Sequence, residues 1–144
     1  MDLYRRALGR FIPSAHLVKV SEEDVDALEP GASPENVIEG WLTTRPGPEL
    51  VLFTRGAAGS VALHRDGRRL ERPAPATTLV DTVGAGDAFV AGFLASLYSN
   101  GFLSASGLTD ISDTALAGAL EQANRVAAIT CSLPGSDPPR LSEL

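Results

Sequence analysis

The 144 residues of this chain include 18 acidic and 12 basic side chains, which gives a formal charge of −6 and a pI near 4.8. This acidic balance, with arginines scattered rather than gathered in a stripe, argues against a nucleic-acid partner. No apolar run reaches the length of a membrane span and the N-terminus lacks a signal-peptide core, so we expect a cytoplasmic protein with no membrane partner. The single cysteine, Cys131, excludes an internal disulfide. The length corresponds to one domain over residues 1–144.

The first 44 residues predict three helices and one strand. Hydrophobic periodicity and helix-start signals place a helix over 2–11, a strand over 17–20, and helices that begin after Ser21 and Ser33. Ser21 and Asp24 match the S-x-x-[DE] capping box, in which each residue satisfies a backbone N–H of the other. Ser33-Pro34 is typical of an N-cap followed by the first helical position.

The middle of the chain predicts strands. Residues 50–54 form a continuous apolar run, which is typical of a strand buried on both faces in a parallel sheet. Residues 60–72 alternate around Asp66-Gly67, a primed-turn signal for a β-hairpin, and on this hairpin His64 is expected to face solvent. A proline-rich segment over 73–78 then crosses to the next element.

The last third predicts two long helices. The first follows Asp87 and ends at Asn100-Gly101, a C-terminal glycine signal. Residues 104–112 are expected to be a loop with at most a short turn, and Asp113 is expected to cap the second helix. Strands that alternate with helices predict a doubly wound, mainly parallel α/β sheet with flanking helices and a phosphate site at the strand C-terminal ends.

The stretch Asp81-Thr82-Val83-Gly84-Ala85-Gly86-Asp87 carries the strongest functional signal. It predicts a tight glycine turn that opens a helix, with the N–H groups of Gly84, Ala85, Gly86 and Asp87 converging on one point. The first turn of a helix leaves such donors unpaired and carries a partial positive charge. The sequence therefore predicts a phosphate site built from backbone alone.

Asp87 supplies the candidate chemistry. A carboxylate beside a phosphate cradle can take the proton from a hydroxyl that attacks the phosphate. The alternative is that Asp87 only interacts favourably with the helix dipole.

Two other nucleotide motifs do not fit. A Walker A loop requires G-x-x-x-x-G-K-[ST], and the chain's only lysine, Lys19, is far from any such loop. A dinucleotide fingerprint requires a third glycine where this chain has Phe89.

The signature resembles the D-T-x-G-A-G-D motif of the PfkB (ribokinase-like) carbohydrate kinases and matches all six specified positions. Thr54-Arg55-Gly56-Ala57-Ala58-Gly59 is similar to the family's T-x-G-x-x-G loop, which lies against the nucleotide. The resemblance implies ATP-dependent phosphorylation of a sugar, with Asp87 as general base, Gly84–Asp87 as anion hole, and Thr54, Gly56 and Gly59 as nucleotide contacts. The stretch Lys19-Val20-Ser21-Glu22-Glu23-Asp24 looks most like the fructokinase-type branch of the family, which favours fructose as the substrate. Ribose, 2-keto-3-deoxygluconate and a nucleoside remain open.

The resemblance also implies finer roles. Asn124 matches a position that faces the adenine. Ser21 and Asp24 stand where the family has N-x-x-E, so Asp24 is a candidate for organising Mg²⁺. Asp81, with the loop at Gly135, matches the site where some members hold a monovalent cation such as K⁺.

The length adds a further expectation. Members of this family are about twice as long, so the matches correspond to the C-terminal half, a partial domain without the N-terminal half and lid. Activity as a kinase, a non-catalytic nucleotide-binding remnant, and a split subunit that needs a separate sugar-binding half all stay open. A homodimer or a partner half-domain would be the corresponding assembly.

Overall fold

The computed structural model describes residues 2–143. Within that range, one sheet contains the four strands β1 (Leu17–Ser21), β2 (Leu50–Thr54), β3 (Ser60–His64) and β4 (Arg69–Arg72). The α-helices are α1 (Asp2–Phe11), α2 (Glu22–Leu28), α3 (Pro34–Thr43), α4 (Ala85–Ser99), α5 (Ala105–Asp110) and α6 (Asp113–Cys131). Short 3-10 turns lie at Ile12–Ser14, Gly56–Ala58 and Leu141–Glu143. None of the helices in the described range is long and apolar enough to cross a membrane.

The sheet has the strand order β1-β2-β3-β4 and is mixed. β1 and β2 pair in parallel with Ser21 opposite Thr54, whereas β2–β3 and β3–β4 are antiparallel. The α/β class is confirmed, but the sheet is not mainly parallel as predicted. The reason is that the short connections after β2 and β3 can join only antiparallel neighbours, because a parallel pair needs a long crossover.

Helices cover both faces of this sheet, as the doubly wound prediction requires. On one face, Leu50, Leu52 and Ala62 pack against apolar residues of α4, α5 and α6. On the other face, Val51, Phe53 and neighbouring residues pack against α2 and α3. Successive residues of β2 therefore point into two different cores, and the prediction that this strand is buried on both faces is confirmed.

The predicted helix starts are confirmed for α2 and α3. The Ser21 Oγ accepts the Asp24 N–H at 3.1 Å, and the Asp24 carboxylate accepts the Ser21 N–H at 3.0 Å, which forms the capping box. Ser33 is the N-cap of α3 with Pro34 as its first residue. Gly101, with φ +78°, follows the Asn100 C-cap of α4 as expected.

Two predictions in the last third are wrong. Residues 104–112 contain helix α5, because the Ser104 Oγ accepts the Gly107 N–H at 2.9 Å and provides a cap. The N-cap of α6 is Ser112 rather than Asp113, since the Ser112 Oγ accepts the Ala115 N–H at 3.2 Å. The Asp113 carboxylate instead accepts a hydrogen bond from Arg68 at 2.9 Å.

The prediction that His64 faces solvent is also wrong. Its side chain is only 2% exposed, and its Nε2 lies 3.0 Å from the Leu108 carbonyl oxygen in α5. The prediction assumed a hairpin with one solvated face, whereas helices cover this face of β3.

Close approach between α4 and α6 requires a glycine at position 92. A Cβ there would lie 2.9 Å from the Val126 Cγ2 and 3.2 Å from the Ala123 Cα. We expect Gly92→Ala to be less stable than the matched variant Gly118→Ala by about 1–3 kcal/mol, because overpacking offsets the gain in helix propensity. Gly118 lies inside α6, and a Cβ there would meet no atom within 4 Å. Urea unfolding of both variants provides the measurement, and equal stabilisation of the two would contradict the close packing.

Candidate active site

A cleft of about 640 Å³ opens at the carboxyl ends of β1 and β2. Ser21 and Thr54, the last residues of these strands, both line it, and so do Ala85 and Gly86 at the start of α4. Residues of α6 and of the segment 74–79 complete the wall. The sequence predicts the site at strand C-terminal ends, and this cleft lies there. A smaller cavity of about 200 Å³ beside α1 contains none of the predicted site residues.

The predicted nucleotide loop lies directly after β2. Thr54 ends the strand, Gly56 begins the 3-10 turn, and the Arg55 N–H donates to the Gly59 carbonyl at 2.8 Å, which closes the loop. Gly59 has φ +91°, and a Cβ there would lie 2.2 Å from the Arg72 carbonyl oxygen. Glycine is therefore needed at 59 both for the backbone conformation and for the close passage of the chain after β4. Thr54, Gly56 and Gly59 all line the cleft.

The signature turn ends in the N-terminus of α4. Gly84 is the N-cap with φ +78°, and the first helical bond runs from the Ala88 N–H to the Gly84 carbonyl at 2.8 Å. The Ala85 N–H donates to the Thr82 carbonyl at 3.1 Å. The prediction that this N–H is free to contact a phosphate is therefore wrong. The N–H groups of Gly84, Gly86 and Asp87 have no acceptor among residues 2–143. Three unpaired donors thus remain at the positive end of a 15-residue helix.

Asp87 is an exposed residue in the first turn of α4, next to Gly86 of the cleft wall. Within the described part of the chain, its carboxylate makes no hydrogen bond or ion pair. The side chain is therefore accessible from solvent, which the predicted role of general base would require.

Asp81 joins the signature turn to the loop after α6. Its Oδ1 accepts the Val83 N–H and its Oδ2 accepts the Gly135 N–H, both at 3.0 Å. These backbone hydrogen bonds, first from Val83 and then from Gly135, hold the pKa of the Asp81 carboxyl below its usual value. The two residues predicted to share a monovalent cation site, Asp81 and Gly135, are thus neighbours.

Asp24 lies in the capping box at the start of α2. Partial burial raises the pKa of this carboxyl, but hydrogen bonds from Ser21 and the charge of Lys19 outweigh that effect and lower the pKa overall. The Lys19 Nζ is 3.9 Å from the Asp24 Oδ2. In residues 2–143, no group of three or more His, Cys, Asp or Glu side chains is arranged to hold a metal ion. A single carboxylate such as Asp24 suits Mg²⁺ only when the ion is also bound to nucleotide phosphates, as is usual for this metal.

Asn124 is buried in α6 and lines the cleft. Its amide nitrogen lies 3.3 Å from the Arg72 carbonyl and 3.4 Å from the Pro73 carbonyl. Its amide nitrogen fixes the start of the segment that forms one wall of the cleft.

Lys19 is a cleft residue that the sequence analysis did not assign to the site. It lines the cleft with a side chain 21% exposed, and its Nζ lies 3.3 Å from the position that a Cβ on Gly86 would occupy. The signal was available, since Lys19 and Ser21 are two residues apart in one strand and their side chains share a face.

The family model described as "pfkB family carbohydrate kinase" matches residues 2–143. This chain belongs to the PfkB family of carbohydrate kinases. Fructokinase from Rhizobium leguminosarum bv. trifolii is 36% identical over 109 residues, 76% of this chain and 32% of that protein. Fructokinase from Salmonella thompson is 43% identical over 96 residues, 65% of this chain and 42% of that protein. The PfkB chain thus spans only about a third to two fifths of the length of these relatives.

Solved structures give the same family. Fructokinase from Xylella fastidiosa with bound ATP superposes with a TM-score of 0.80 at 27% identity, covering 92% of this chain and 41% of that one. Aminoimidazole riboside kinase from Salmonella enterica, complexed with aminoimidazole riboside and an ATP analog, has a TM-score of 0.73 at 27% identity, covering 94% and 42%. The ribokinase-like fold predicted for this PfkB chain is confirmed.

Gly84 offers a test of the signature turn. An added Cβ would lie 2.0 Å from the Ser136 Oγ, in addition to the strain of φ +78°. Gly31 has the same φ, but a Cβ there would meet nothing within 4 Å. We expect Gly84→Ala to destabilise the chain more than Gly31→Ala in thermal unfolding, because only Gly84→Ala adds a collision to the strain. Equal losses would show that the contact with Ser136 imposes no constraint.

The hydrogen bond between Asp81 and Gly135 predicts a pH dependence. Because the folded-state pKa of Asp81 lies below the ordinary value of 3.8, the link contributes stability above pH 3.8 and is lost as the pH falls through the lowered pKa. We expect the Gly135 amide proton resonance to titrate with that lowered pKa in NMR spectra. Asp81→Asn should abolish this titration, whereas Asp110→Asn on the exposed end of α5 should not change it. A Gly135 resonance that is insensitive to Asp81→Asn would contradict the link.

Proposed function

We propose that this chain is the nucleotide-binding and catalytic part of an ATP-dependent sugar kinase. The observation that carries the proposal is the start of α4, where three unpaired backbone N–H groups and the exposed Asp87 carboxylate lie beside the cleft. Phosphoryl transfer requires mainly positioning and stabilisation of charge, and an anion site next to a base provides both.

The nucleotide is proposed to bind in the cleft. Thr54, Gly56 and Gly59 would contact it from the loop after β2, as the resemblance to the T-x-G-x-x-G motif implies. Asn124 would contact the adenine with its amide oxygen, since its nitrogen is directed to the carbonyls at 72 and 73. That the fructokinase of Xylella fastidiosa was solved with ATP, on a fold that superposes on this chain, supports ATP as the nucleotide.

In the proposed reaction, a hydroxyl oxygen of the sugar forms a bond to the γ-phosphorus while the bond to the ADP oxygen breaks. Asp87 takes the hydroxyl proton. The N–H groups of Gly84, Gly86 and Asp87 stabilise the charge on the phosphoryl oxygens, with Ala85 closing the turn that presents them. Mg²⁺ bound to the phosphates would neutralise further charge, with Asp24 as the proposed protein carboxylate. A monovalent cation such as K⁺ is proposed at Asp81 and the carbonyls near Gly135.

Fructose is the proposed substrate, because several curated relatives are fructokinases. Other relatives include an adenosine kinase from Saccharomyces cerevisiae, which leaves a nucleoside as the second choice. A cytoplasmic location is proposed with the sugar and ATP as partners.

The short span of the chain supports a second candidate, a nucleotide-binding module or split subunit that needs another sugar-binding part. A second copy or a separate chain would be the partner. The unpaired N–H groups together with Asp87 favour the catalytic reading, because nucleotide binding alone requires no base.

The decisive measurement is ADP release with ATP, Mg²⁺ and a panel of sugars, fructose first. We expect Asp87→Asn to lower turnover by about 10²–10⁴-fold, the scale of general-base catalysis, and to leave ATP affinity nearly unchanged. Asp110→Asn is the matched control, since Asp110 is exposed and outside the cleft. Full turnover in Asp87→Asn would overturn the role of the base. Release by the longest product of the gene but not by these 144 residues would support the kinase and show that catalysis also needs the sugar-binding part of the same protein.

A further inference from the structure

Besides the N–H groups at the start of α4, the cleft contains a side chain suited to contact an anion, and it lies outside the signature at 81–87. Lys19 is the chain's single lysine and, in the described part of the chain, the one cationic side chain that lines the cleft. It lies on β1, and Thr54 and the start of α4 line the same cleft. Its ammonium is placed against Gly86, where a Cβ would be 3.3 Å from the Nζ.

The ammonium has no strong partner there. Among residues 2–143, the Lys19 Nζ makes no hydrogen bond, and the carboxylate within ion-pair reach is Asp24 at 3.9 Å, with a side chain 54% exposed. An ammonium carries three donors, so most of its capacity is unused. An ion pair of this length and exposure stabilises a protein little. Pairing with Asp24 therefore does not account for the position of Lys19.

The surroundings of Lys19 are also electrostatically unusual. The N-terminus of α4 carries a partial positive charge, and cations are unfavourable near such an end. A lysine next to Gly86 increases the positive potential where two unpaired N–H groups, of Gly86 and Asp87, already lie. Such an arrangement is stabilised when an anion contacts the ammonium and the amides together.

We infer that Lys19 binds the terminal phosphates of the nucleotide, together with the N–H groups at the start of α4. The inference rests on the proposed function, which it deepens by adding a side-chain cation to a backbone anion site. It also gives a reason for glycine at 86, because Gly86 has no positive φ and a side chain there would crowd the ammonium.

The experiment compares ATP, ADP and adenosine by isothermal titration calorimetry on the 144-residue chain. EDTA is present, so that any effect belongs to the phosphates and not to a metal. The variants are Lys19→Met, which keeps an unbranched apolar stem, and Lys19→Arg, which keeps the charge. Arg10→Met is the matched control, because Arg10 is an exposed cation on α1 outside the cleft.

We expect Lys19→Met to weaken ATP and ADP by at least about 10-fold, the usual scale for a hydrogen bond to a charged group. Adenosine affinity should stay within about 2-fold, since it has no phosphate, and Lys19→Arg should retain most of the ATP affinity. Unchanged ATP affinity in Lys19→Met would overturn the inference but leave the proposed function intact. A parallel loss of adenosine would also overturn it, because the substitution would then act on the cleft as a whole. Absence of ATP binding in the unsubstituted chain would instead overturn the proposed function and the role of Lys19 together.

Discussion

The parallel pairing of β1 with β2 is the constraint on which the rest of the site depends. Because the two strands run in the same direction, their carboxyl ends meet at one edge, with Ser21 opposite Thr54. The capping box of α2 and the glycine loop after β2 therefore open on the same side of the sheet. An antiparallel pair would have placed them at opposite ends. β1 also brings Lys19 to this edge, two residues from the strand's end.

The packing of α4 positions another part of the cleft, the wall that contains Ala85 and Gly86. Phe89, Phe93 and Leu97 are almost completely buried and hold the helix against the sheet and α6. Burying one such side chain stabilises the fold by about 1.5–3 kcal/mol, so the helix axis is firmly fixed. The same packing determines where the N-terminus of α4 points. The unpaired N–H groups thus owe their position to apolar contacts within the first three or so turns of the same helix. Gly84 sets only the direction in which the chain enters the helix.

The sequence was most informative where local chemistry determines structure. The capping box of Ser21 and Asp24 and the turn at Gly84 depend on neighbours within a few residues, and both could be predicted from the motif alone. Predictions that depended on distant contacts were less accurate. The burial of His64 depends on α5, a helix about forty residues later in the chain, and no local pattern contains that information. The antiparallel pairs, by contrast, follow from the short connections after β2 and β3, which the prediction of a mainly parallel sheet did not take into account.

The charges in the cleft likewise come partly from a local motif and partly from a residue that is distant in the sequence. The motif predicts a backbone anion site, but backbone dipoles contribute only partial charges and lose their effect within about one turn. Lys19 contributes a full charge, and in the structure its ammonium lies beside Gly86. Asp87 then lies exposed in the first turn of the same helix, at the positive end of its dipole. In the proposed site one helix end would serve both the phosphate and the base, and the cation from β1 would reduce the repulsion between these two negative groups.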